Sequence, residues 1–192
     1  MTLRIAPSPP ITLPPYTFIM CDHRSHALSC QITEALVEAN DTVYVDDFLA
    51  PIHEGVSAIL GLGVNRDLGA PDETDRLVLP TLLGETESDL IVSLEKWYNS
   101  HFGEAALGAL ALKRARDNRE LADYSIVFRD ATPKHVLAFL NSNIAKRDML
   151  FIHLEMTLAP KHVIGGDVRE LGINTTTPFH EQMAEIRRVA HG

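Results

Sequence analysis

Short runs of consecutive apolar residues recur along the chain, separated by longer segments in which apolar residues follow a helical spacing. Such runs predict buried β-strands when turn residues bound them. They lie at residues 16–20, 42–48, 124–128 and 149–154. Because strands that are apolar throughout are typical of sheets covered on both faces, the pattern predicts a mainly parallel sheet.

The segments between these strands predict amphipathic helices. Leu28, Ile32 and Leu36 share one face of a helix expected over residues 29–40. Thr132 and Pro133 suit the N-cap and the first position of a later helix. Further helices are expected from Pro51 to Gly61, over residues 79–83 and 90–102, from 107 to 116–118, and after Thr177-Pro178, with a loop over 61–78. This alternation predicts an α/β fold, a three-layer sandwich around the sheet.

Residues 1–15 differ from the rest of the chain because prolines recur in them. Proline favours extended backbone, so we expect an extended arm, which is either a loose terminus or a strap against a partner. A loose terminus is the default interpretation. Residues 16–192 are expected to form one domain with a helical insertion at about 79–118. Within that insertion Trp97 and Tyr98 are assigned to the core.

Composition narrows the class of protein. The chain has 192 residues, 45% of them hydrophobic and 22% charged, which is typical of a soluble globular domain. Its net charge of −9 disfavours non-specific binding to nucleic acid or to anionic membranes. We expect no secretory signal and no membrane span, since no apolar run approaches about 20 residues. The two cysteines, Cys21 and Cys30, suit a reducing compartment.

The turn after the first strand has the length of a phosphate-binding loop, which reads G-x-x-x-x-G-K-[ST]. Its glycines let backbone N–H groups wrap a phosphate, and its lysine neutralises the charge. Cys21 and His26 stand in place of the glycines, and Ala27 and Leu28 occupy the lysine region. Only Ser29 remains as a candidate for the Ser/Thr hydroxyl that ends the motif. The sequence therefore predicts the strand, turn and helix of such a loop without the glycines and the lysine that bind the phosphate.

The layout from residue 16 to 160 resembles the deoxynucleoside monophosphate kinases of bacteriophages and their P-loop kinase relatives. Residues 17–36 are similar to the strand, phosphate loop and first helix of that family. The other similar segments are VYVDDFLAPIHEGVSAILGL (43–62), LPTLLGETESDLIVSLEKWYNSHFGEAALGALALKRARDN (79–118), YSIVFRDATPKHVLAFL (124–140) and MLFIHLE (149–155). The resemblance implies a P-loop-kinase-like fold and, in active members, ATP and magnesium.

The departures from the family fall on catalytic positions. Beyond the loop, Arg129 aligns with the family arginine, but Val127 replaces the aspartate two residues earlier. Losing several such groups removes most of the stabilisation of a phosphoryl-transfer transition state. The resemblance therefore implies a non-catalytic phage protein, a binding or structural-interaction module of the virion or host cytoplasm. We expect no cofactor, with other phage proteins or a second copy as partners and a nucleotide as a further candidate ligand.

Two alternative hypotheses give particular residues a catalytic or metal-binding role. In an active deoxynucleoside monophosphate kinase, Asp46, Asp47 and Arg129 would contact the acceptor and the phosphates. Arg24, Ser29 and Arg129 would then hold the nucleotide, with Ser29 on magnesium. In a metal-dependent enzyme or regulator, Cys21, His23 and His26 would be the ligands, since zinc accepts Cys and His.

Weaker candidates remain in the same sequence. Arg66, Arg76 and Arg114 could bind an anion through their guanidinium forks. Cys21 or Cys30 beside a histidine could form a nucleophile and base, although Cys30 inside the first helix is expected to be buried.

Overall fold

The computed structural model describes residues 11–21, 25–40, 42–59, 87–155 and 168–191. These residues form five strands and six α-helices. The strands are β1 (Tyr16–Met20), β2 (Val43–Asp47), β3 (Ser125–Ala131), β4 (Met149–Glu155) and β5 (Arg169–Asn174). The helices are α1 (His26–Glu38), α2 (Ala50–Ile59), α3 (Glu87–Phe102), α4 (Ala106–Leu121), α5 (Pro133–Leu140) and α6 (Phe179–Ala190). None of these helices is both long and apolar enough to cross a bilayer.

The five strands form one parallel sheet in the order β2-β3-β1-β4-β5. The chain therefore passes from the central strand β1 to the edge strand β2 and returns through β3, which lies between them. It then crosses to β4 and ends the sheet at the other edge strand, β5. The predicted α/β class with a mainly parallel sheet is confirmed. The predicted helical insertion corresponds in its described part to α3 and α4, which lie between β2 and β3 in sequence.

Helices cover the sheet on both faces. On one face α1 and α6 bury Ile32, Leu36, Met183 and Ile186 against alternate strand residues such as Ile152. On the other face α4 and α5 cover a layer of aromatic rings. In that layer Phe18 stacks on Phe128 and Phe151, with ring centroids 5.2 Å and 4.8 Å apart, and Phe139 of α5 meets Phe18 edge-on at 5.0 Å. Phe48, which follows β2, belongs to the same layer.

Three expectations need correction. A fifth strand, β5, was not expected, and it pairs with β4 at the sheet edge. Helix α1 begins at His26, three residues before the expected start at 29. Helix α4 continues to Leu121, through the polar residues at which it was expected to end. The expected loop at 61–78 and helix at 79–83 lie outside the described residues.

The proline-rich arm is part of the packed structure over its described residues, 11–15. Ile11 and Leu13 are buried in the α1–α6 side of the core. The backbone oxygen of Ile11 accepts a hydrogen bond from Asn40 Nδ2 at 2.9 Å, and that of Leu13 accepts one from Ser125 Oγ at 3.1 Å. The interpretation as a loose terminus is therefore wrong for these five residues.

Candidate functional site at the carboxyl edge of the sheet

The carboxyl ends of β1 and β3 meet at the centre of one sheet edge. The helix that follows β1 packs on one face of the sheet, and the helix that follows β3 packs on the other. In parallel α/β sheets, a crevice opens where consecutive connections leave to opposite faces, and ligands bind there. This edge carries two groups of polar side chains, one beyond β2 and one between β1 and β3.

The first group, the acid cluster, consists of Asp46, Asp47, His53 and Arg114. Arg114, on α4, grips Asp46 with two nitrogens, Nη2 to Oδ1 at 3.0 Å and Nε to Oδ2 at 3.3 Å. The same guanidinium donates to the backbone oxygen of Asp47 at 2.7 Å. His53 Nδ1 lies 3.1 Å from Asp47 Oδ2, and the backbone N–H of Leu49 donates to Asp47 Oδ1 at 2.8 Å.

The two neighbouring carboxyl groups have opposite pKa shifts. Burial raises the pKa of Asp46 above its usual 3.8, although the hydrogen bonds and charge of Arg114 oppose this. Burial also acts to raise the pKa of Asp47, but the hydrogen bond and charge of His53 outweigh it, helped by the Leu49 N–H and the charge of Arg129. The net result lowers the pKa of Asp47. Asp47 is thus stabilised as a carboxylate, whereas burial disfavours the charged form of Asp46.

The second group, the thiol cluster, consists of Cys21, His26, Cys30, Arg129 and Asp130. The thiol of Cys21 donates to Asp130 Oδ1 at 2.9 Å, and His26 Nδ1 lies 3.0 Å from Asp130 Oδ2. On the other side of the imidazole, Cys30 Sγ lies 3.6 Å from His26 Nε2. Arg129 Nη1 donates to Cys30 Sγ at 3.7 Å, and Arg129 Nε lies 3.5 Å from Asp130 Oδ2.

Asp130 is held in an unusual backbone conformation. It is the one described non-glycine residue with positive φ, at 54°. The pairing of β1 with β3 shifts at this point, since Phe18 faces Phe128 but Met20 faces Ala131. One extra residue in β3 therefore forms a bulge that turns Asp130 towards the β1–α1 connection. A non-glycine residue in this region costs about 1–3 kcal/mol, and such strain concentrates at functional sites.

The candidate residues predicted from the sequence are only partly brought together. Asp46 and Asp47 end β2, and Arg129 lies opposite Asp47 in the β2–β3 register. Ser29 is fully buried within α1, and its hydroxyl has no hydrogen-bond partner among the described residues. Arg24 and His23 lie outside the described residues, as do Arg66 and Arg76.

The expected metal ligands take another arrangement in the described part of the site. Cys21 and His26 both bind the carboxylate of Asp130. Across the described ranges, no three His, Cys, Asp or Glu side chains are grouped as metal ligands. With His23 outside those ranges, the zinc interpretation stays a prediction.

Asp130 and His53 are the site residues that the sequence reasoning missed. Asp130 directly follows Arg129, so an acidic residue at the end of an apolar strand was a signal that could have been used. His53, by contrast, carried none, because a histidine in the first turns of a helix is common. Cys30, expected to be buried, is half-buried and contacts both His26 and Arg129.

Comparison of the chain with protein-family models, with curated proteins and with solved structures found no match.

Proposed function

We propose that this chain is a kinase-like fold that is non-catalytic in phosphoryl transfer and is used as a binding module. The observation that carries the proposal is that the charged groups at the carboxyl edge neutralise one another. Both carboxylate oxygens of Asp46 and of Asp47 already have partners within the protein. Magnesium or an acceptor hydroxyl, which phosphoryl transfer requires, would have to compete with these partners for the two carboxylates.

Arg114 supports the same conclusion. It is committed to Asp46 and to the backbone oxygen of Asp47. A triphosphate would have to displace the Asp46 carboxylate to gain this guanidinium fork. Burial of Ser29 likewise takes the hydroxyl expected to contact magnesium away from a bound nucleotide.

A thermal-shift titration against ATP, deoxynucleoside monophosphates and magnesium tests this proposal. A ligand that binds only the native state at 100 times its Kd adds about 2.7 kcal/mol of stability, which is readily seen. We expect no saturable shift with ATP and magnesium. ATP-dependent phosphorylation of a deoxynucleoside monophosphate, lost in Arg129→Ala, would instead establish the active kinase.

A surface on α3 favours a protein as the bound partner. Trp97, Tyr98, His101 and Phe102 form an α3 aromatic patch, with ring-centroid distances of 4.6 Å for Trp97–His101 and 4.7 Å for Tyr98–Phe102. Trp97 is 53% exposed and Phe102 60% exposed, so the expectation that Trp97 lies in the core is wrong. Exposed aromatic side chains are typical of the energetic centres of protein interfaces.

The first partner to test is a second copy of the chain. Light scattering after size-exclusion chromatography should give a mass above that of the 21.2 kDa monomer at high concentration. Trp97→Ser should return it to the monomer mass, whereas Leu121→Ser, which removes an exposed leucine from α4, should not. A monomer at every concentration would exclude self-association through this patch.

We further propose, from the sequence resemblance alone, that the module acts among phage proteins of the virion or the host cytoplasm. In that case it should co-purify with other phage proteins in a fixed copy number. Recovery only as a free protein from infected cells would count against this placement.

A further inference from the structure

Cys30, His26 and Asp130 are arranged in the order of a nucleophile, a base and an orienting acid. His26 uses its two ring nitrogens on opposite sides, Nδ1 towards Asp130 Oδ2 at 3.0 Å and Nε2 towards Cys30 Sγ at 3.6 Å. We propose that Cys30 is the nucleophile of a thiol acyl-transfer site, with His26 as its general base and Asp130 as the positioning residue.

The carboxylate of Asp130 fixes the tautomer of the imidazole. As an acceptor beside Nδ1, it favours the form that carries a proton on Nδ1 and a lone pair on Nε2. That lone pair is the one that faces the Cys30 thiol. The other oxygen of Asp130 is held by the Cys21 thiol at 2.9 Å, so the carboxylate cannot rotate freely.

The positions of the three residues follow from rigid elements. His26 and Cys30 are one helical turn apart on α1, which places their side chains side by side. Asp130 comes from the bulge at the end of β3, on the strand next to β1. The bulge and the positive φ at Asp130 aim the carboxylate at His26, which gives the backbone strain a role.

Arg129 indicates the charge of the substrate. Its guanidinium donates to Cys30 Sγ at 3.7 Å, so it would hold an anionic group beside the sulfur. His26 is 37% exposed and Asp130 33% exposed, so the site is open to small molecules. The substrate class that fits is an activated acyl group with an anionic leaving group, such as an acyl phosphate.

The reaction step balances without a cofactor. His26 Nε2 takes the proton from Cys30 Sγ, and the sulfur forms a bond to the acyl carbon. The bond from that carbon to the leaving oxygen then breaks with its electron pair on the oxygen, which takes the proton back from His26. The products are a thioester on Cys30 and a free phosphate. No nucleotide takes part, so this proposal stands or falls separately from the proposed function.

Acetyl phosphate is the direct probe, with mass spectrometry to locate the acetyl group. We expect acetylation of Cys30, and at least about a tenfold loss of its rate in His26→Asn and in Asp130→Asn, as for removal of a general base. His180→Gln, which changes an exposed histidine outside the site, is the variant in which the acetyl group should still appear. Thermal melting of each variant shows that it is folded.

A second measurement separates the role of Arg129 from a structural one. Iodoacetate and iodoacetamide alkylate the same thiol but differ in charge. Native Cys30 should react faster with iodoacetate relative to iodoacetamide than the same cysteine in protein unfolded with guanidinium. Arg129→Gln should abolish that preference. Native Cys30 that reacts at the unfolded rate with both reagents, or acetylation unchanged in His26→Asn, would overturn the proposal.

Discussion

His135 is a buried histidine with no polar partner in the described structure. It is 3% exposed, neither ring nitrogen forms a hydrogen bond there, and the ring stacks on Phe48 with centroids 4.9 Å apart. Burial lowers the pKa of His135 below its usual 6.5, since the charged form would lose its hydration. The unfolded chain therefore binds a proton below pH 6.5 that the folded chain does not, and stability falls as the pH drops through this range.

His135→Phe should remove this dependence. The variant keeps a flat ring on Phe48 and has no buried polar atoms, so its stability at pH 7 should be unchanged or higher by up to about 1 kcal/mol. Its free energy of unfolding, measured with urea, should decline less than that of the wild type between pH 6.5 and about pH 5. His180→Gln, which changes an exposed histidine, is the control. Equal slopes in all three proteins would contradict the prediction.

Asp47 should cause a further loss of stability on acidification, at a lower pH than His135. Burial acts to raise the pKa of Asp47, but the hydrogen bond and charge of His53, the Leu49 N–H and the charge of Arg129 together lower it. Its contribution is therefore complete above pH 3.8 and disappears as the pH falls below that value. Asp47→Asn should lose about 1–2 kcal/mol at pH 6. The difference from the wild type should shrink on acidification below pH 3.8, as followed by denaturant unfolding. A stability difference between the two proteins that stays constant down to acid pH would contradict the prediction. It would show that the contact of Asp47 with His53 does not depend on the charge of the carboxylate.

The residues of the site were predictable only where the signal is local. Asp46, Asp47 and Arg129 were identified because each follows an apolar run, and strand ends meet at one edge of a parallel sheet. The long-range contacts of the site were not predictable. Arg114 is 68 residues from Asp46 in sequence, and Asp130 is 109 residues from Cys21. Such pairings depend on how the helices pack and on the bulge in β3, which no spacing in the sequence specifies.

Among the elements, helix α4 approaches α5 unusually closely at Gly108. A Cβ at this position would lie 2.1 Å from the backbone oxygen of His135, so an added methyl group must push the helices apart. Gly108→Ala should therefore destabilise the protein by about 1–3 kcal/mol, as is typical of overpacking. Gly55→Ala is the matched control, because its Cβ would meet only the end of Leu94, at 3.2 Å.

The two alanine variants should have effects of opposite sign. In Gly55→Ala the flexible end of Leu94 can move, and the gain of up to about 1 kcal/mol from alanine in a helix should dominate. Melting temperatures of the two variants beside the wild type test this directly. Equal melting temperatures for Gly108→Ala and the wild type would mean that α4 and α5 shift apart without cost.

The helices and strands that were predicted most accurately are those with the strongest local sequence pattern. Tyr16–Met20 is apolar except for Thr17 and was predicted with its observed bounds. Thr132 and Pro133 correctly marked the start of α5, although the Thr132 side chain makes no capping hydrogen bond. Strand β5 was missed because it alternates polar and apolar residues around Gly172, as an edge strand can. The prediction ended helix α4 too early because its last turns carry polar residues, which surface pairs such as Lys113–Asp117 stabilise in the helix.

At the scale of the whole molecule, the fold class was predictable because it depends only on the alternation of strands and helices. That alternation does not specify the order of the strands in the sheet, since several orders satisfy it. The placement of residues 11–15 was also not predictable, because prolines specify an extended path but not the surface against which it lies. The packing of Ile11 and Leu13, together with the hydrogen bonds from Asn40 and Ser125, ties this segment to the core.

The segment at residues 11–15 should therefore contribute to the stability of the entire domain. Ile11 is fully buried against the α1–α6 side of the sheet, so Ile11→Ala removes apolar contacts and leaves a cavity. We expect a loss of about 2–5 kcal/mol in the free energy of unfolding, seen as one cooperative transition at lower denaturant concentration. Thr12→Ala, at the exposed position between the two buried residues, should change it by less than about 0.5 kcal/mol. Equal stability of the two variants would mean that residues 11–15 dock on a domain that is complete without them.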